Sequence, residues 1–383
     1  MNRTLVVSAM LPPYYQGGAE KMAQLFIDEY TLKQEHPFVL THRAARQGSY
    51  NFLPVIFGNI CSPKTVVKKW RLVKLMYHLL DLFNPILCIE LVYQFRSKGI
   101  TTIYAHNTTY FGYNILIASK LCGIKYVQII HDYYLTCVKS SRFKTGAICH
   151  KTCATCTAFR APVKSLTTSM HAVFVSQALQ KMIEKERQFK SSRVIYNPAQ
   201  PFFEVTDALI EKPKVFTLGY LGAISENKGI LQFLKLHKDS FESSGVNILI
   251  GGTGQGPYFE TFLKFIASCD FVYFLGQTTP KDFFPRVKFL LAPSLWHEPL
   301  ATVILESMSH ATPCIANLTG GSPEMIDHGQ TGYCLDLFDS AETEKLWTEI
   351  LRMNQQSYQL MSRSAKEKSW TSKQDWINSI LNI

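Results

Sequence analysis

The chain has 383 residues, 46% apolar and 18% charged, which exceeds one ordinary core, suits two domains and excludes a disordered or collagen-like protein. Its net charge of +11 is unevenly placed: residues 1–199 hold 25 Lys and Arg against 9 Asp and Glu, and residues 200–383 hold 15 against 20, so an anionic partner is expected for the first half only. No apolar run reaches the roughly 18 residues that cross a bilayer, and the opening stretch runs into Leu11-Pro-Pro-Tyr-Tyr-Gln-Gly17-Gly18, which reads as a buried first strand of a cytoplasmic protein, not as a signal peptide.

In chain order, Thr4–Ser8 is a short apolar strand, Pro12–Gly18 a loop, and Ala19–Leu32 has the apolar spacing of a helix. Phe38–Thr41 predicts a second strand and Val66–Phe83 a basic helix. Ile103–Ala105, Tyr126–Ile130, Ala172–Val175 and Val194–Ile195 follow as buried strands. The pattern then restarts. Strand Phe216–Leu221 leads to helix Gly229–Lys238, and strand Val246–Ile250 opens into Gly251-Gly252-Thr-Gly254 before helix Tyr258–Ala267. Strands Val272–Leu275 and Phe289–Ala292, helix Pro299–Met308 and strand Pro313–Ala316 complete the series. Two successive βαβ series predict an α/β chain of two parallel-sheet domains with a cleft between, residues 1–199 and 200–369. The tail, 370–383, reads as a short amphipathic helix that folds back onto the first domain.

Glu298 and Glu306 stand eight positions apart in Trp296-His-Glu298-Pro-Leu300-Ala301-Thr302-Val-Ile-Leu-Glu306. Pro299 suits a first helical turn, which would put Glu298 where a helix begins and Glu306 about two turns inside it. Eight residues advance roughly 12 Å and rotate about 800°, leaving both acids near one face. A helix N-terminus attracts an anion such as pyrophosphate, and acids on either side would grip hydroxyls, a layout fit for a nucleotide sugar. An amphipathic helix with one solvated carboxylate is the plainer alternative. Adjacent glycines at Gly17-Gly18 let backbone amides approach a phosphate or sugar, although turns use Gly-Gly freely. Gly222…Lys228-Gly229 places an ammonium beside a glycine turn, where it would neutralise a diphosphate or simply be solvated. Gly252-Thr-Gly254, Phe274-Leu275-Gly276 and Gly320-Gly321 also follow strands, so these loops line one rim.

Cys137, Cys149, Cys153 and Cys156 fall within twenty residues, the last two as Cys-x-x-Cys. Structural zinc, unpaired thiols, and a disulfide or iron–sulfur centre are the alternatives. A zinc clip with all four positions filled would not be catalytic. Lys64 to Tyr77, with Lys68, Lys69 and Arg71 around Trp70, is read either as a basic face for anionic lipid or as a domain helix with solvated lysines. No nucleic-acid-binding motif accompanies the charge.

The order of these motifs resembles glycosyltransferase family 4, retaining nucleotide-sugar enzymes of the GT-B fold, and within it bacterial surface-polysaccharide glycosyltransferases. The carrying residues are Gly17-Gly18-Ala-Glu20, His131-Asp132, Val175-Ser176, Tyr196-Asn197-Pro198, Gly222…Lys228-Gly229, Gly252-Thr-Gly254, Pro293-Ser294, Glu298…Glu306 and Gly320-Gly321-Ser-Pro-Glu324. The resemblance spans nearly the whole chain. It implies an acceptor-side first domain and a donor-binding second one. Glu298 is then the acid at the donor sugar, Glu306 the ribose ligand, and Lys228 the diphosphate cation. The resemblance also gives His131 a sugar contact, Gly17 and Gly18 the phosphate-side loop, and Leu300, Ala301 and Thr302 their amides at sugar and phosphate. Gly222, Gly252, Gly254, Leu275 and Gly276 complete the donor side, with Asp132, Lys68, Lys69 and Arg71 toward the acceptor. No catalytic metal is implied. The implied partners are a nucleotide-sugar donor, a glycan or lipid-linked acceptor and the inner face of a membrane. Two positions depart from the family: Ala223 stands where it often has an arginine, for which Arg193 is a candidate substitute, and Leu300-Ala301-Thr302 replaces its usual Phe-Gly-Leu. The rival readings are a non-catalytic sugar-nucleotide binder and a basic membrane or nucleic-acid adaptor.

Overall fold

The computed structural model describes residues 3–11, 13–14, 17–33, 36–42, 50–59, 69–199, 210, 214–368 and 371–383. The chain divides into two compact units, one of Met1–Ser141, His150–Asn197 and Ser372–Ile383, the other of Arg142–Cys149 and Pro198–Thr371. In the first half the strands are β1 (Thr4–Ser8), β2 (Phe38–Leu40), β3 (Asn51–Phe52), β4 (Thr102–Asn107), β5 (Lys125–Ile130), the two-residue hairpin pair β6 (Phe143–Lys144) and β7 (Ala147–Ile148), β8 (His171–Phe174) and β9 (Ser191–Val194). The second half adds β10 (Phe216–Leu221), β11 (Ile248–Gly251), β12 (Val272–Gly276), β13 (Val287–Ala292), β14 (Cys314–Asn317) and β15 (Gly332–Leu335).

The first unit's sheet runs β3-β2-β1-β4-β5-β8-β9 and the second's β12-β11-β10-β13-β14-β15. Within both sheets the pairings are parallel. Strands covered on both faces need continuous apolar runs, which is why β1, Thr-Leu-Val-Val-Ser, is buried at every position. In each sheet the strand order reverses once, between β1 and β4 and between β10 and β13. Ligands of open parallel sheets bind outside the carboxyl ends of the strands at that reversal.

Helix α1 (Gly18–Leu32) follows β1. The next two, α2 (Arg71–Leu82) and α3 (Pro85–Lys98), correct two expectations. Residues Arg71–Lys98 are, by length and composition, apolar enough to cross a membrane, although no such run was expected. The backbone breaks instead at Phe83, which is extended, and Asn84 starts a new helix by accepting the Leu87 amide at 3.1 Å, with Pro85 in the first turn. Helices of 12 and 14 residues are each shorter than the roughly 20 a crossing needs. Among the described residues the expected basic helix begins at Arg71, with Trp70 extended before it; residues 66–68 of the expected span lie outside them. Lys68 lies outside the described residues.

Helices α4 (Asn114–Leu121), α5 (Ala154–Arg160) and α6 (Gln177–Glu184) complete the crossovers of the first unit. In the second, α7 (Ile230–Ser244), α8 (Pro257–Ile266), α9 (Pro280–Phe283), α10 (Thr302–Ser309), α11 (Ser322–Met325), α12 (Ser340–Arg352) and α13 (Gln355–Glu367) do the same. The last helix, α14 (Lys373–Leu381), belongs to the first unit. Ser372 caps it, and Trp376, Ile377 and Ile380, on one face at helical spacing, are fully buried. The Trp376 ring meets the α1 residue Phe26 edge-on at 6.0 Å.

Candidate active site

In the second unit, the loops after β10 and β13 meet at the strand-order reversal. The turn Glu226–Lys228 ends on Gly229 at φ +73°, where a Cβ would lie 2.1 Å from the Pro293 carbonyl oxygen, so the turn packs directly on the neighbouring loop. The Leu295 amide donates to the Asn227 carbonyl at 2.9 Å, which locks the two loops together. This brings the Lys228 ammonium onto Glu298 Oε1 in an ion pair, while Ser294 Oγ donates to Glu298 Oε2 at 2.6 Å. Lys228 also stands over the Trp296 ring, 5.8 Å from its centroid. Glu298 and Ser294 are buried, and Lys228 keeps a quarter of its side chain in solvent.

The rim beside this pair is built from backbone. Gly222 donates to the Gly251 carbonyl, Ile224 to Thr253, and Gly252 to Gly276, at 2.7 to 3.0 Å. Gly252, at φ +142°, has its Cα so close to this neighbour that a Cβ would lie 1.8 Å from the Gly222 carbonyl oxygen. At Gly254 a Cβ would lie 2.5 Å from the Ile224 carbonyl oxygen. Gly222, Gly252, Gly254, Leu275 and Gly276 thus form one stitched edge at the carboxyl ends of β10, β11 and β12.

The helix expected from Pro299 starts three residues later. Its N-cap is Ala301 and its first residue Thr302, so Glu298 precedes α10 and does not stand on its opening turn. The cause is a tertiary hydrogen bond: the Glu298 carbonyl accepts the Gly321 amide at 2.8 Å, and Thr319 Oγ1 holds the Trp296 carbonyl at 3.2 Å. These bonds hold the segment in a bent loop ahead of the helix, and the shared-face argument for the two acids fails with them. Glu306 is half-buried inside α10; Leu300 and Ala301 bury their side chains ahead of the helix. At the start of α10 the Ile304 amide is taken by the Ala301 carbonyl at 2.9 Å, so the helix start offers an anion the amides before it, at Thr302 and Val303. Ala223 is exposed, its carbonyl accepting from Tyr220 Oη at 2.6 Å, and Arg193 is exposed on β9 of the first unit.

The first unit gathers polar groups at its own reversal. Glu20, from the first turn of α1, is buried and accepts from Asn107 Nδ2 at 2.8 Å, joining the segments after β1 and β4. Gly17 is extended, and a Cβ there would meet Glu20 Oε2 at an ordinary 3.7 Å, so Gly17 supplies open space and not a special backbone shape. His131, just after β5, bonds through Nε2 to Nδ1 of buried His106 at 3.0 Å. Burial pushes the His131 imidazole down to about 3 and His106 well below its usual value, the latter helped by His131, so both rings are neutral near pH 7. One proton is shared between them. If His106 Nδ1 donates, His131 carries its own proton on Nδ1 and presents a donor there. Asp132 accepts the Tyr134 amide at 2.7 Å; burial, with Glu20 nearby, raises its carboxyl to about 7. These groups line a cavity of about 20 Å³, room for a water-sized group.

A buried ion pair fixes the segment that carries His131. Arg160 on α5 holds Asp81 at 3.0 Å, Tyr134 Oη donates to the same carboxylate at 2.6 Å, and the guanidinium lies 4.5 Å from the Tyr134 ring centroid. Nothing in the sequence links positions 81, 134 and 160. Cys156 shares hydrogen bonds with Cys137 and Cys153, which, with burial, push its thiol well up. As placed, no three His, Cys, Asp or Glu among the described residues form a set that would hold a metal ion. Cys149 falls in the other unit. Lys69 and Arg71 are exposed at the start of α2. The residues missed from the sequence are Ser294, Glu20, Asn107 and His106. Glu20, inside Gly17-Gly18-Ala-Glu20, and Ser294, inside Pro293-Ser294, lay in stretches the sequence had marked, although without a role; Asn107 and His106 did not.

Residues 204–368 match the family described as glycosyl transferases group 1. An uncharacterized 42.6 kDa protein in the cps region of Klebsiella pneumoniae is 22% identical over 332 residues, covering 84% of this chain and 86% of its own length. N-acetyl-alpha-D-glucosaminyl L-malate synthase of Bacillus anthracis is 30% identical over 117 residues, 30% of each chain. Among solved structures, HepE of Anabaena in complex with UDP-glucose aligns over 99% of this chain and 98% of its own, with a TM-score of 0.67 at 17% identity. The chain therefore has the GT-B fold, and its segment 204–368 is similar to the group 1 glycosyl transferases.

Proposed function

We propose that this protein moves a sugar from a nucleoside diphosphate sugar to a hydroxyl of a lipid-linked glycan, with retention at the anomeric carbon, in the synthesis of a surface polysaccharide. The observation that carries the reading is the Lys228–Glu298 pair, set beside the start of α10 at the reversal between β10 and β13. The bond from sugar carbon to phosphate oxygen breaks with positive charge on the sugar and negative charge on the diphosphate. Lys228 and the amides at the start of α10 stabilise the departing oxygen, and Glu298 orients the lysine and meets the sugar. The acceptor hydroxyl bonds to the same carbon and its proton leaves with the phosphate. No step needs a metal. Glu306 is assigned the ribose and His131, as a neutral donor, a sugar hydroxyl. Glu298 as a nucleophile is the lesser mechanism.

UDP-glucose in the HepE complex favours a uridine donor, and the cps-region relative favours a polysaccharide setting. We place the protein at the inner face of the membrane. A thermal-shift panel of UDP-, GDP- and ADP-sugars tests the donor half; no stabilisation by any of them overturns it. Product NMR tests retention. Ala223 supports the second reading, a binder without turnover: tight donor binding with no hydrolysis and no transfer would establish it.

For the cysteines, a structural zinc on Cys137, Cys149, Cys153 and Cys156 remains a proposal supported by their spacing; as placed they do not form a ligand set, so the metal would have to draw them together. Zinc would replace their S–H contacts with metal bonds and order the segment after His131. One zinc per purified chain, with a lower Tm after chelation, supports it; metal-free protein overturns it.

A further inference from the structure

Helices α2 and α3 leave an unusual amount of apolar surface in water. On α2, Leu72, Leu75, Met76 and Leu79 share a face and are 45–70% exposed, and Trp70 just before them is 85% exposed. On α3, Ile86, Ile89 and Tyr93 form a second stripe, 56–73% exposed. Phe83, at the break between the helices, joins Ile89, Val92, Tyr93 and Leu121 in a groove of about 780 Å³ with Arg96 on its wall. Soluble monomers seldom leave this many large apolar side chains exposed on two successive helices unless something covers them.

The charges beside the face point to what covers it. Lys69, Arg71 and Lys74 lie at the start of α2, and Arg96 and Lys98 at the end of α3. Only two acids fall between residues 69 and 98, and neither balances these cations at the surface. Asp81 is buried on Arg160. Glu90 accepts the amides of Ile56 and Phe57 at 2.8 and 3.1 Å, and so holds two more exposed apolar residues against α3. A second copy docked through this face would set its cations against their own images. An anionic lipid surface instead pairs headgroups with the cations and takes the apolar stripes into its acyl boundary.

We propose that the α2–α3 face is a membrane-docking surface that lies in the interface of an anionic bilayer, with lipid hydrocarbon in the α3–Leu121 groove. This rests on the lipid-linked acceptor of the proposed function for its purpose but not for its test, which contains neither donor nor acceptor. The break at Phe83–Asn84 sets the mode of contact: two helices lie along the surface and neither crosses.

The test is sedimentation of the full chain with phosphatidylcholine vesicles containing about one part in four phosphatidylglycerol, against phosphatidylcholine alone. Binding to the anionic vesicles, weakened by salt, is expected, with a blue-shifted Trp70 emission that brominated lipid quenches and Trp70→Phe removes. The double variant Leu72→Ser/Ile89→Ser should lower partitioning by about tenfold or more, since exposed side chains contribute insertion and not folding. Arg71→Gln/Arg96→Gln, the cations that flank the two stripes by helical spacing, should erase the preference for anionic vesicles. No partitioning, or partitioning equal in the Leu72/Ile89 variant, overturns the proposal. So does a concentration-dependent dimer, seen by sedimentation velocity, that the Leu72/Ile89 variant abolishes and vesicles do not compete with. Circular dichroism and Tm of each variant keep misfolding from passing as lost binding, and a donor-induced thermal shift retained by the serine variant separates this outcome from failure of the glycosyltransferase reading.

Discussion

Replacing Lys228 by methionine removes one charge while keeping most of the side chain's bulk. The segment from Gly222 to Gly229 holds no other cation, and Ala223 stands where a second would be expected from the family resemblance. A diphosphate leaving group would therefore lose its one nearby ammonium. Removing a single oriented donor from such a site costs about 2.7–4 kcal/mol at the transition state, or 10²–10³ in kcat. Ground-state binding should weaken as well, by about 1.5–3 kcal/mol for one charged hydrogen bond. The folded protein loses less: Lys228 is a quarter exposed and Glu298 keeps Ser294 Oγ, so about 1–2 kcal/mol is expected, a fall in Tm of about 3–6 °C. Donor turnover is read as nucleotide release with the sugar nucleotide that the thermal-shift panel selects. Glu298→Gln is the companion variant. It frees Lys228 from its partner carboxylate, so nucleotide affinity should hold or rise while turnover falls at least about tenfold. If Lys228→Met keeps kcat/KM within about fivefold of wild type, the assignment of Lys228 to the leaving group is wrong.

Three further outcomes follow from the packing. The Asp132 carboxyl is raised from 3.8 to about 7 by burial, so the folded state holds this proton more tightly than the unfolded state. Its stabilising effect is complete below about pH 4 and is lost as pH rises to 7. Asp132→Asn should gain on wild type across that window by at most about 4 kcal/mol in urea unfolding; a difference independent of pH would refute the burial argument. Gly252→Ala places a methyl 1.8 Å from the Gly222 carbonyl oxygen, and should cost about 3 kcal/mol or more in chemical denaturation and lose nucleotide-induced stabilisation; a wild-type urea midpoint would show the rim to be looser than drawn. Asp81→Asn strands a buried guanidinium, with an expected loss of about 3–5 kcal/mol, whereas Asp81→Asn/Arg160→Met should recover part of it. A double variant no more stable than Asp81→Asn would deny the coupling.

What could be read from the sequence was what depends on near neighbours. Phe216–Leu221 and Phe289–Ala292 were legible because buried strands are mostly apolar runs, Val272–Leu275 by its apolar run although this edge strand leaves Tyr273 and Leu275 exposed, and glycine clusters marked the rim. The resemblance brought Lys228 and Glu298 forward as members of one site, and the structure pairs them. The start of α10 was not legible, since Pro299 locally favours a helix and the Gly321 amide, 23 positions away, overrides it. Separations of 25, 53 and 79 positions likewise hid His106–His131, Asp81–Tyr134 and Asp81–Arg160, whose members share no local pattern. The apolar run 71–98 was missed because the acids Asp81 and Glu90 interrupt it, and both turn inward. Strands of two residues, such as β3 and β6, are too short for any periodicity.

The position of α14 bears on how the protein is made. Trp376, Ile377 and Ile380 are fully buried in a unit whose other residues end at Asn197. The amino-terminal half leaves the ribosome first, yet it cannot close its interior until residues 372–383 emerge. At about 5–20 residues per second, that is a wait of roughly ten seconds or more. The later-synthesised unit, continuous from Pro198 to Thr371 apart from residues 142–149, has nearly all its own parts sooner. Nascent chains arrested before Ser372 would leave Phe26 without its tryptophan neighbour, a natural opening for chaperone binding during translation.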